Sequence, residues 1–433
     1  MFNSTRKTNK PLLGNINVAS DKSISHRSLI FASLAYGTSK IYNLLEGEDV
    51  LNMAKALTAM GATISKQDDH WLVDGVGLYG LTEPSTVLDM GNSGTATRLL
   101  AGLVATRNFT SFFVGDSSLH KRPMSRIFQP ITQFGAKILA RQNNLLPFAI
   151  VGNANSMPIN YTMPIASAQI KSCILLAALM VKGTTTIVEP ELCRDHTEIM
   201  MQHLGLKLKL NNSGTGRIIS YDGLQEFNAT NFYVPNDISS AAFLIVAALI
   251  IENSHIILKN VGINPLRTGI ITSLQEMGAD IKLCNSQLIG GELVADIEVK
   301  HSKLTAIDVP ASRAPFMIDE YPIFAVACAF AKGTTTMSGL AELKVKESDR
   351  LSMIANNLQQ CGVAVAMGAD SLQITGGITQ QKHTITLTTA LDHRIAMSAL
   401  IMGLALENGI KIDDASMINT SFPQFFSILQ QLC

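Results

Sequence analysis

The chain writes one plan six times. A short entrance rich in Ser, Asp and Gly, an apolar Ala-rich helix, a small turn and a β-branched strand begin near Ala19, Gly91, Pro164, Pro235, Pro310 and Ala390. Successive starts lie 71 to 80 residues apart, close to the size of a βαβαββ unit. Such a repeat predicts an α/β protein. At 433 residues the chain exceeds one ordinary core, so three copies in each of two domains is the natural division, with a break near Asn231–Asp237. The first fifteen to twenty residues could pair with either half.

Several copies show the strand directly. Lys182-Gly183-Thr184-Thr185-Thr186-Ile187 returns as Lys332-Gly333-Thr334-Thr335-Thr336-Met337, and Gly37-Thr38-Ser39-Lys40-Ile41 is a third version. Threonine runs beside β-branched residues favour strand. A second helix recurs in five copies, each closing on a glycine at the C′ position: Gly61, Gly135, Gly205, Gly278 and Gly362. Asp49–Met60, Arg267–Met277 and Asp349–Cys361 carry the i, i+3, i+4 apolar spacing of half-exposed helices. Strands follow at Ile64 and Ile281–Leu283.

Composition excludes several classes. Lys+Arg and Asp+Glu are 34 each, for a net charge of +0, which argues against a general nucleic-acid or acidic-membrane partner. Hydrophobic residues make up 47% of the chain, yet the longest apolar run, Ala241 to Ile251, is far short of a membrane span. No secretory signal is visible in the first twenty residues. The 6 cysteines form no Cys-x-x-Cys pair and read as buried free thiols in a reducing compartment. The 9 histidines show no metal spacing, and no Walker or Gly-x-Gly-x-x-Gly loop follows a strand, so no cofactor and no metal is implied. The expectation is a monomeric cytoplasmic protein acting on small molecules, with no nucleic-acid or membrane partner.

The entrances carry the chemistry. In Met90-Gly91-Asn92-Ser93-Gly94-Thr95-Ala96-Thr97-Arg98, two glycines permit conformations that a Cβ would penalise, and Ser93 or Thr95 can cap a helix. The free N–H groups and positive dipole of that helix start attract anions, and Arg98 adds a fixed charge. Lys22-Ser23-Ile24-Ser25-His26-Arg27 offers three basic side chains and two hydroxyls, which suits a phosphate or carboxylate; His26 reads as a satisfied structural histidine. In Lys121-Arg122-Pro123, the proline would rigidify a turn that aims Arg122. Ser167-Ala168-Gln169-Ile170-Lys171 can orient a polyol, although a simple N-cap explains Ser167 equally well. Asp319-Glu320-Tyr321-Pro322 places a carboxylate beside apolar neighbours, a candidate proton acceptor. The charged run Lys344–Arg350 reads by itself as a solvated helix start, and Asp392-His393-Arg394 opens the sixth long helix.

In this order, from Val18 to Phe426, these motifs resemble the 5-enolpyruvylshikimate-3-phosphate synthases. The resemblance implies two domains of three βαβαββ units joined by a two-stranded hinge, with residues 1–21 and 237–433 in one and 22–236 in the other. The long helices would point their N-termini toward the cleft between them. It implies transfer of the enolpyruvyl group of phosphoenolpyruvate to the 5-hydroxyl of shikimate 3-phosphate. Lys22, Ser23, Arg27, Ser167, Ala168, Gln169, Asp319 and Lys346 would contact shikimate 3-phosphate. Lys22, Gly94, Arg122, Gln169, Arg350 and Arg394 would contact phosphoenolpyruvate. Asp319 would accept the hydroxyl proton, Glu347 would protonate the methylene carbon, and Lys22 and Lys346 would stabilise the shifting charge. A lysine frequent near the family's C-terminus is Thr420 here. UDP-N-acetylglucosamine enolpyruvyl transferases are the nearest competitor, but their reactive loop cysteine is absent between Gly115 and Arg126. A catalytically silent sugar-phosphate-binding scaffold is the alternative of a different class. In the family, alanine at the position matching Gly94 accompanies tolerance of the inhibitor glyphosate.

Overall fold

A computed structural model describes residues 3–378 and 383–432. The chain divides into two compact units. One holds Met1–Ala19, Pro235–Leu288 and Leu293–Cys433; the other holds Ser20–Val234 and Ile289–Glu292.

The helices, in chain order, are α1 (Lys22–Leu34), α2 (Glu48–Ala59), α3 (Gly94–Ala105), α4 (Ser125–Gln133), α5 (Ala168–Ala178), α6 (His196–His203), α7 (Ile238–Ile250), α8 (Gly269–Glu276), α9 (Ala314–Met317), α10 (Tyr321–Phe330), α11 (Arg350–Gln360), α12 (His393–Gly403) and α13 (Phe425–Leu432). They fall into two kinds. The first helix of each copy is buried nearly all round, as in α7, where every residue from Ile238 to Leu249 is buried. A helix without a polar face has to sit inside. Accordingly α1, α3 and α5 pack together at the centre of the second unit, and α7, α10 and α12 pack together in the first. The second helices are one-sided: α2 buries Val50, Met53, Ala54 and Leu57 but leaves Lys55 and Thr58 in solvent. The five expected C′ glycines all adopt positive φ, from +78° at Gly362 to +106° at Gly61, a conformation that terminates a helix without Cβ strain.

Five of the six sheets repeat one four-stranded order. In the second unit Leu88–Asp89 lies parallel to Thr110–Val114, which pairs antiparallel with Leu145–Val151, itself antiparallel to Lys137–Arg141. The two Lys-Gly-Thr-Thr-Thr copies supply the matching strands Thr184–Glu189 and Thr334–Met337. Leu13–Ile16 pairs parallel with His255–Gly262 in the first unit, whereas Phe232–Tyr233 pairs parallel with Tyr36–Tyr42 in the second. The N-terminal segment therefore serves the later half of the chain. Ser4–Thr5 also completes the sixth sheet, antiparallel to Ile410–Ile412, in the place that a hairpin strand fills in the other copies.

Five long helices open on a side-chain cap. Asp21, Ser93, Ser167, Asp237 and Asp392 accept the N–H of Ile24, Ala96, Ile170, Ser239 and Arg394 respectively. The fifth copy departs from the rule. After a 3₁₀ turn at Ala311–Arg313 and the one-turn α9, the chain breaks at Ile318–Glu320 before α10 begins, and Glu320 makes no side-chain cap bond. Asp319 lies in that break.

Among the described residues no helix is long and apolar enough to cross a membrane. Cys173, Cys193, Cys328 and Cys361 are buried free thiols, Cys284 is partly exposed, and Cys433 lies outside the described residues. Burial pushes the Cys361 thiol up to about 12.

Candidate active site

Two groups of polar residues collect at the starts of the long helices, one group in each unit.

In the second unit, Lys22 opens α1 and its Nζ donates to Asp49 Oδ2 at 3.0 Å, in the first turn of α2. Arg27 is buried one turn later. Its Nη1 donates to the Ser23 carbonyl at 2.8 Å, its Nε to Thr197 Oγ1 at 2.7 Å and its Nη2 to Ser172 Oγ at 2.6 Å. All three acceptors are uncharged, and burial pulls the guanidinium pKa down to about 10. Ser167 is the N-cap of α5, and Ala168 and Gln169 form its first turn. Gln169 Oε1 accepts from Arg98 Nη1 at 2.9 Å, while its Nε2 donates to Thr95 Oγ1 at 3.1 Å. Arg122 is held by Asn92, with Nη2 donating to Oδ1 at 2.6 Å and Nη1 to the backbone carbonyl at 3.1 Å.

Gly94 lies between these arginines. A Cβ there would stand 2.8 Å from Arg98 Nη1 and 3.2 Å from Arg122 Nη1. The backbone explanation therefore applies to Gly91, at φ +53°, and not to Gly94, whose φ is not positive. At 94 an added side chain would instead press on two guanidinium groups, both ends of flexible side chains. His26 also departs from expectation. It is fully buried, and among the described residues neither ring nitrogen has a hydrogen-bond partner. Burial first, then Lys22 and Arg27, hold its pKa well below 6.5, so the ring is neutral.

In the first unit, Arg350 is the centre. Its Nε donates to Asp392 Oδ2 at 2.8 Å, its Nη1 to Asp319 Oδ1 at 3.1 Å and its Nη2 to Glu347 Oε2 at 2.5 Å. Lys346 Nζ stands 3.3 Å from the same Asp319 oxygen. The charged run is thus not a solvated helix start at its far end: Arg350 begins α11 and is 1% exposed, because the fold brings Asp319 and Asp392 to it beside Glu347, its neighbour in the same run. Burial opposes its charge, but Asp392, Glu347 and Asp319 outweigh burial and raise its pKa above the usual arginine range. Asp319 likewise sits between two cations rather than in an apolar pocket. Arg394, in the first turn of α12, donates through Nη1 to the Asp319 carbonyl at 3.0 Å, and the same nitrogen lies 3.6 Å from Glu320 Oε1. Thr420 is buried and donates to the Met417 carbonyl at 2.7 Å, so no cation stands at that position.

The structure therefore brings Lys22, Ser23 and Arg27 together on α1, Gly94 beside Arg122 and Gln169, and Asp319 with Lys346, Glu347, Arg350 and Arg394. Sequence reasoning passed over Asp49, Asn92 and Glu320 as functional residues. Asn92 was legible as part of the Gly-Asn-Ser-Gly entrance, but Asp49 reads in sequence as an ordinary acidic residue in a first turn. Among the described residues no group of three or more His, Cys, Asp or Glu could hold a metal.

A bipartite set of helix-terminal cations with paired carboxylates on a six-copy α/β scaffold has known counterparts. The family model for EPSP synthase (3-phosphoshikimate 1-carboxyvinyltransferase) matches residues 6–429. A 3-phosphoshikimate 1-carboxyvinyltransferase from Paramagnetospirillum magneticum is 50% identical over 424 residues, covering 98% of this chain and 95% of that protein. An EPSP synthase structure from Acinetobacter baumannii superposes with a TM-score of 0.87 at 40% identity, covering 99% of this chain and 97% of the other. The enolpyruvyl transferase NikO from Streptomyces tendae aligns with a TM-score of 0.78 at 16% identity, and shares the fold. With the match spanning nearly every residue, the repeats and both groups of polar residues included, the chain belongs to the EPSP synthase family of 3-phosphoshikimate 1-carboxyvinyltransferases.

Proposed function

We infer that this enzyme transfers the enolpyruvyl group of phosphoenolpyruvate to the 5-hydroxyl of shikimate 3-phosphate and releases inorganic phosphate. The observation that carries the mechanism is Arg350, whose one guanidinium holds both Asp319 and Glu347. The reaction needs two carboxyl groups in opposite protonation states. Asp319, beside Arg350 and Lys346, is favoured as the carboxylate and accepts the 5-hydroxyl proton as that oxygen attacks C2 of phosphoenolpyruvate. Glu347 must instead carry a proton to the methylene carbon. Binding of the phosphoenolpyruvate carboxylate to Arg350 supplies the switch: Glu347 loses its cation and gains an anionic neighbour, and both changes raise its proton affinity. The tetrahedral intermediate then expels phosphate and returns a methyl proton to restore the double bond.

The remaining assignments follow the charges of the ligands. Lys22, Ser23, Arg27, Ser167, Ala168, Gln169 and Lys346 receive shikimate 3-phosphate, together with Asp319. Lys22, Gly94, Arg122, Gln169, Arg350 and Arg394 receive phosphoenolpyruvate, the planar arginine forks matching its carboxylate and phosphate. Lys22, whose ammonium is held by Asp49, and Lys346 offset negative charge as it moves to the leaving phosphate. The enzyme acts as a cytoplasmic monomer on these two small molecules. The equal numbers of basic and acidic residues support the absence of a general polyanionic partner.

Purified protein should release phosphate from phosphoenolpyruvate when shikimate 3-phosphate is added, and not with UDP-N-acetylglucosamine. Turnover with the sugar nucleotide alone would overturn this reading. No turnover with either acceptor would favour the silent scaffold.

A further inference from the structure

Arg27 differs from two other buried cations, Arg350 and Lys171, in how it is held. Arg350 is matched by three carboxylates, and Lys171, fully buried on α5, by two: its Nζ lies 2.8 Å from Glu189 Oε1 and 2.8 Å from Glu198 Oε1. Arg27 has no carboxylate hydrogen-bonded to it among the described residues. Its acceptors are the Ser23 carbonyl and the hydroxyls of Thr197 and Ser172. Those hydroxyls bond each other at 2.7 Å, and each is 1% exposed. Three of the five guanidinium N–H groups are engaged, which leaves two for a ligand.

We propose that Thr197 and Ser172 are positioning residues for substrate recognition: their hydroxyls set the direction of Arg27 without placing a carboxylate in hydrogen-bond contact with it, so its N–H face is kept for the anionic acceptor. A carboxylate in the same place would hold the guanidinium as firmly but would cancel the field that the substrate feels. The mount is rigid for a stated reason. Lys171 ties Glu198, the residue after Thr197, to Glu189, whose Oε1 also accepts the Cys193 N–H at 2.8 Å. Lys171 also donates to the Cys193 carbonyl at 3.1 Å. The start of α6 is thereby pinned to α5 next to Ser172, and the two hydroxyls cannot drift apart without breaking a buried ion pair.

The proposal rests on the reading of shikimate 3-phosphate as acceptor, so the test begins with calorimetric titration of that compound into wild-type protein. It continues with Thr197→Val, which keeps the branched shape and removes the hydroxyl, and with Thr197→Ser, which restores it. In Thr197→Val the Kd and KM for shikimate 3-phosphate should rise about tenfold, equal to about 1.4 kcal/mol. KM for phosphoenolpyruvate, kcat and the melting temperature should stay near wild type. Thr197→Ser should recover most of the affinity. Unchanged affinity in Thr197→Val would overturn the proposal. So would a common loss of both KM values, kcat and stability that Thr197→Ser does not repair, since that pattern marks a structural role. If Thr197→Val does not fold, Ser172→Ala carries the same expectations. Wild-type protein that binds no shikimate 3-phosphate would overturn the acceptor assignment, and this inference with it.

Discussion

Two glycines on α3 meet different obstacles, and alanine at each should fail in a different way. At Gly94 the new methyl would lie 2.8 Å from Arg98 Nη1 and 3.2 Å from Arg122 Nη1. Carbon–heavy-atom contacts relax at about 3.5 Å, so Arg98 must retreat by about 0.7 Å and Arg122 by about 0.3 Å. Both atoms are ends of flexible side chains, and alanine is the better helix former by up to about 1 kcal/mol, so stability should change by less than about 1 kcal/mol. Function should suffer. The Arg98–Gln169 bond, now 2.9 Å, would stretch past its useful range, while Arg122, moving by about 0.3 Å, would stay on Asn92 but shift its guanidinium. One charge-assisted hydrogen bond contributes about 1.5–3 kcal/mol, so KM for phosphoenolpyruvate should rise roughly tenfold or more. At Gly102 the methyl would lie 2.1 Å from the Cys173 carbonyl oxygen and 2.8 Å from its Cα, all backbone of α5. Here α3 and α5 must separate, at a stability loss of about 1–3 kcal/mol or more. Urea unfolding and steady-state kinetics on both variants decide the matter. Gly94→Ala with unchanged KM, or with a stability loss equal to that of Gly102→Ala, would refute the reasoning. Glyphosate, longer than phosphoenolpyruvate, should lose more affinity than the substrate in Gly94→Ala; equal proportional losses would show that Gly94 does not line the part of the pocket where the two differ.

Asp319→Asn and Glu347→Gln should each lower kcat by about 10²–10⁴-fold while shikimate 3-phosphate still binds by calorimetry; near-normal kcat in either removes that residue from proton transfer. Arg122→Ala and Arg394→Ala should raise KM for phosphoenolpyruvate by roughly tenfold or more, and wild-type kcat/KM in one of them would show that arginine misplaced. His26 should make stability fall in acid. The unfolded ring protonates near 6.5 while the folded ring stays neutral to well below that pH, so the unfolded state binds the extra proton in this window. Stability should drop as pH falls below 6.5, by up to about 1.4 kcal/mol per unit. His26→Asn should lack that component in urea melts from pH 7 to 5, and a stability difference between the two proteins that does not vary with pH would refute it.

Much of this enzyme was legible along the chain. The six entrances, the threonine strands and the C′ glycines are local features, governed by backbone sterics, capping and hydrophobic period, and they predicted elements within a few residues. The cap pattern did not mark its exception: Asp319 is the same residue type as the caps Asp21, Asp237 and Asp392, yet it stands where the fifth helix breaks. Partnerships were not legible. Residue patterns alone left open whether Leu13–Ile16 serves a sheet of the later half, which only the family resemblance implied, and could not say that Ser4–Thr5 completes the sixth sheet, since strand edges 240 and 400 residues away compete equally on paper. Nor could they distinguish a solvated charged run from the buried Arg350, or a satisfied histidine from His26, unpartnered among the described residues. Charge, desolvation and hydrogen bonding depend on which groups lie within a few ångströms. Residue types and their order along the chain determined the helices, the strands and the kinds of side chain at each helix start; only tertiary structure decided which carboxylate each cation meets and which cation is left with uncharged partners, because those energies are set by distance in space and not by distance in sequence.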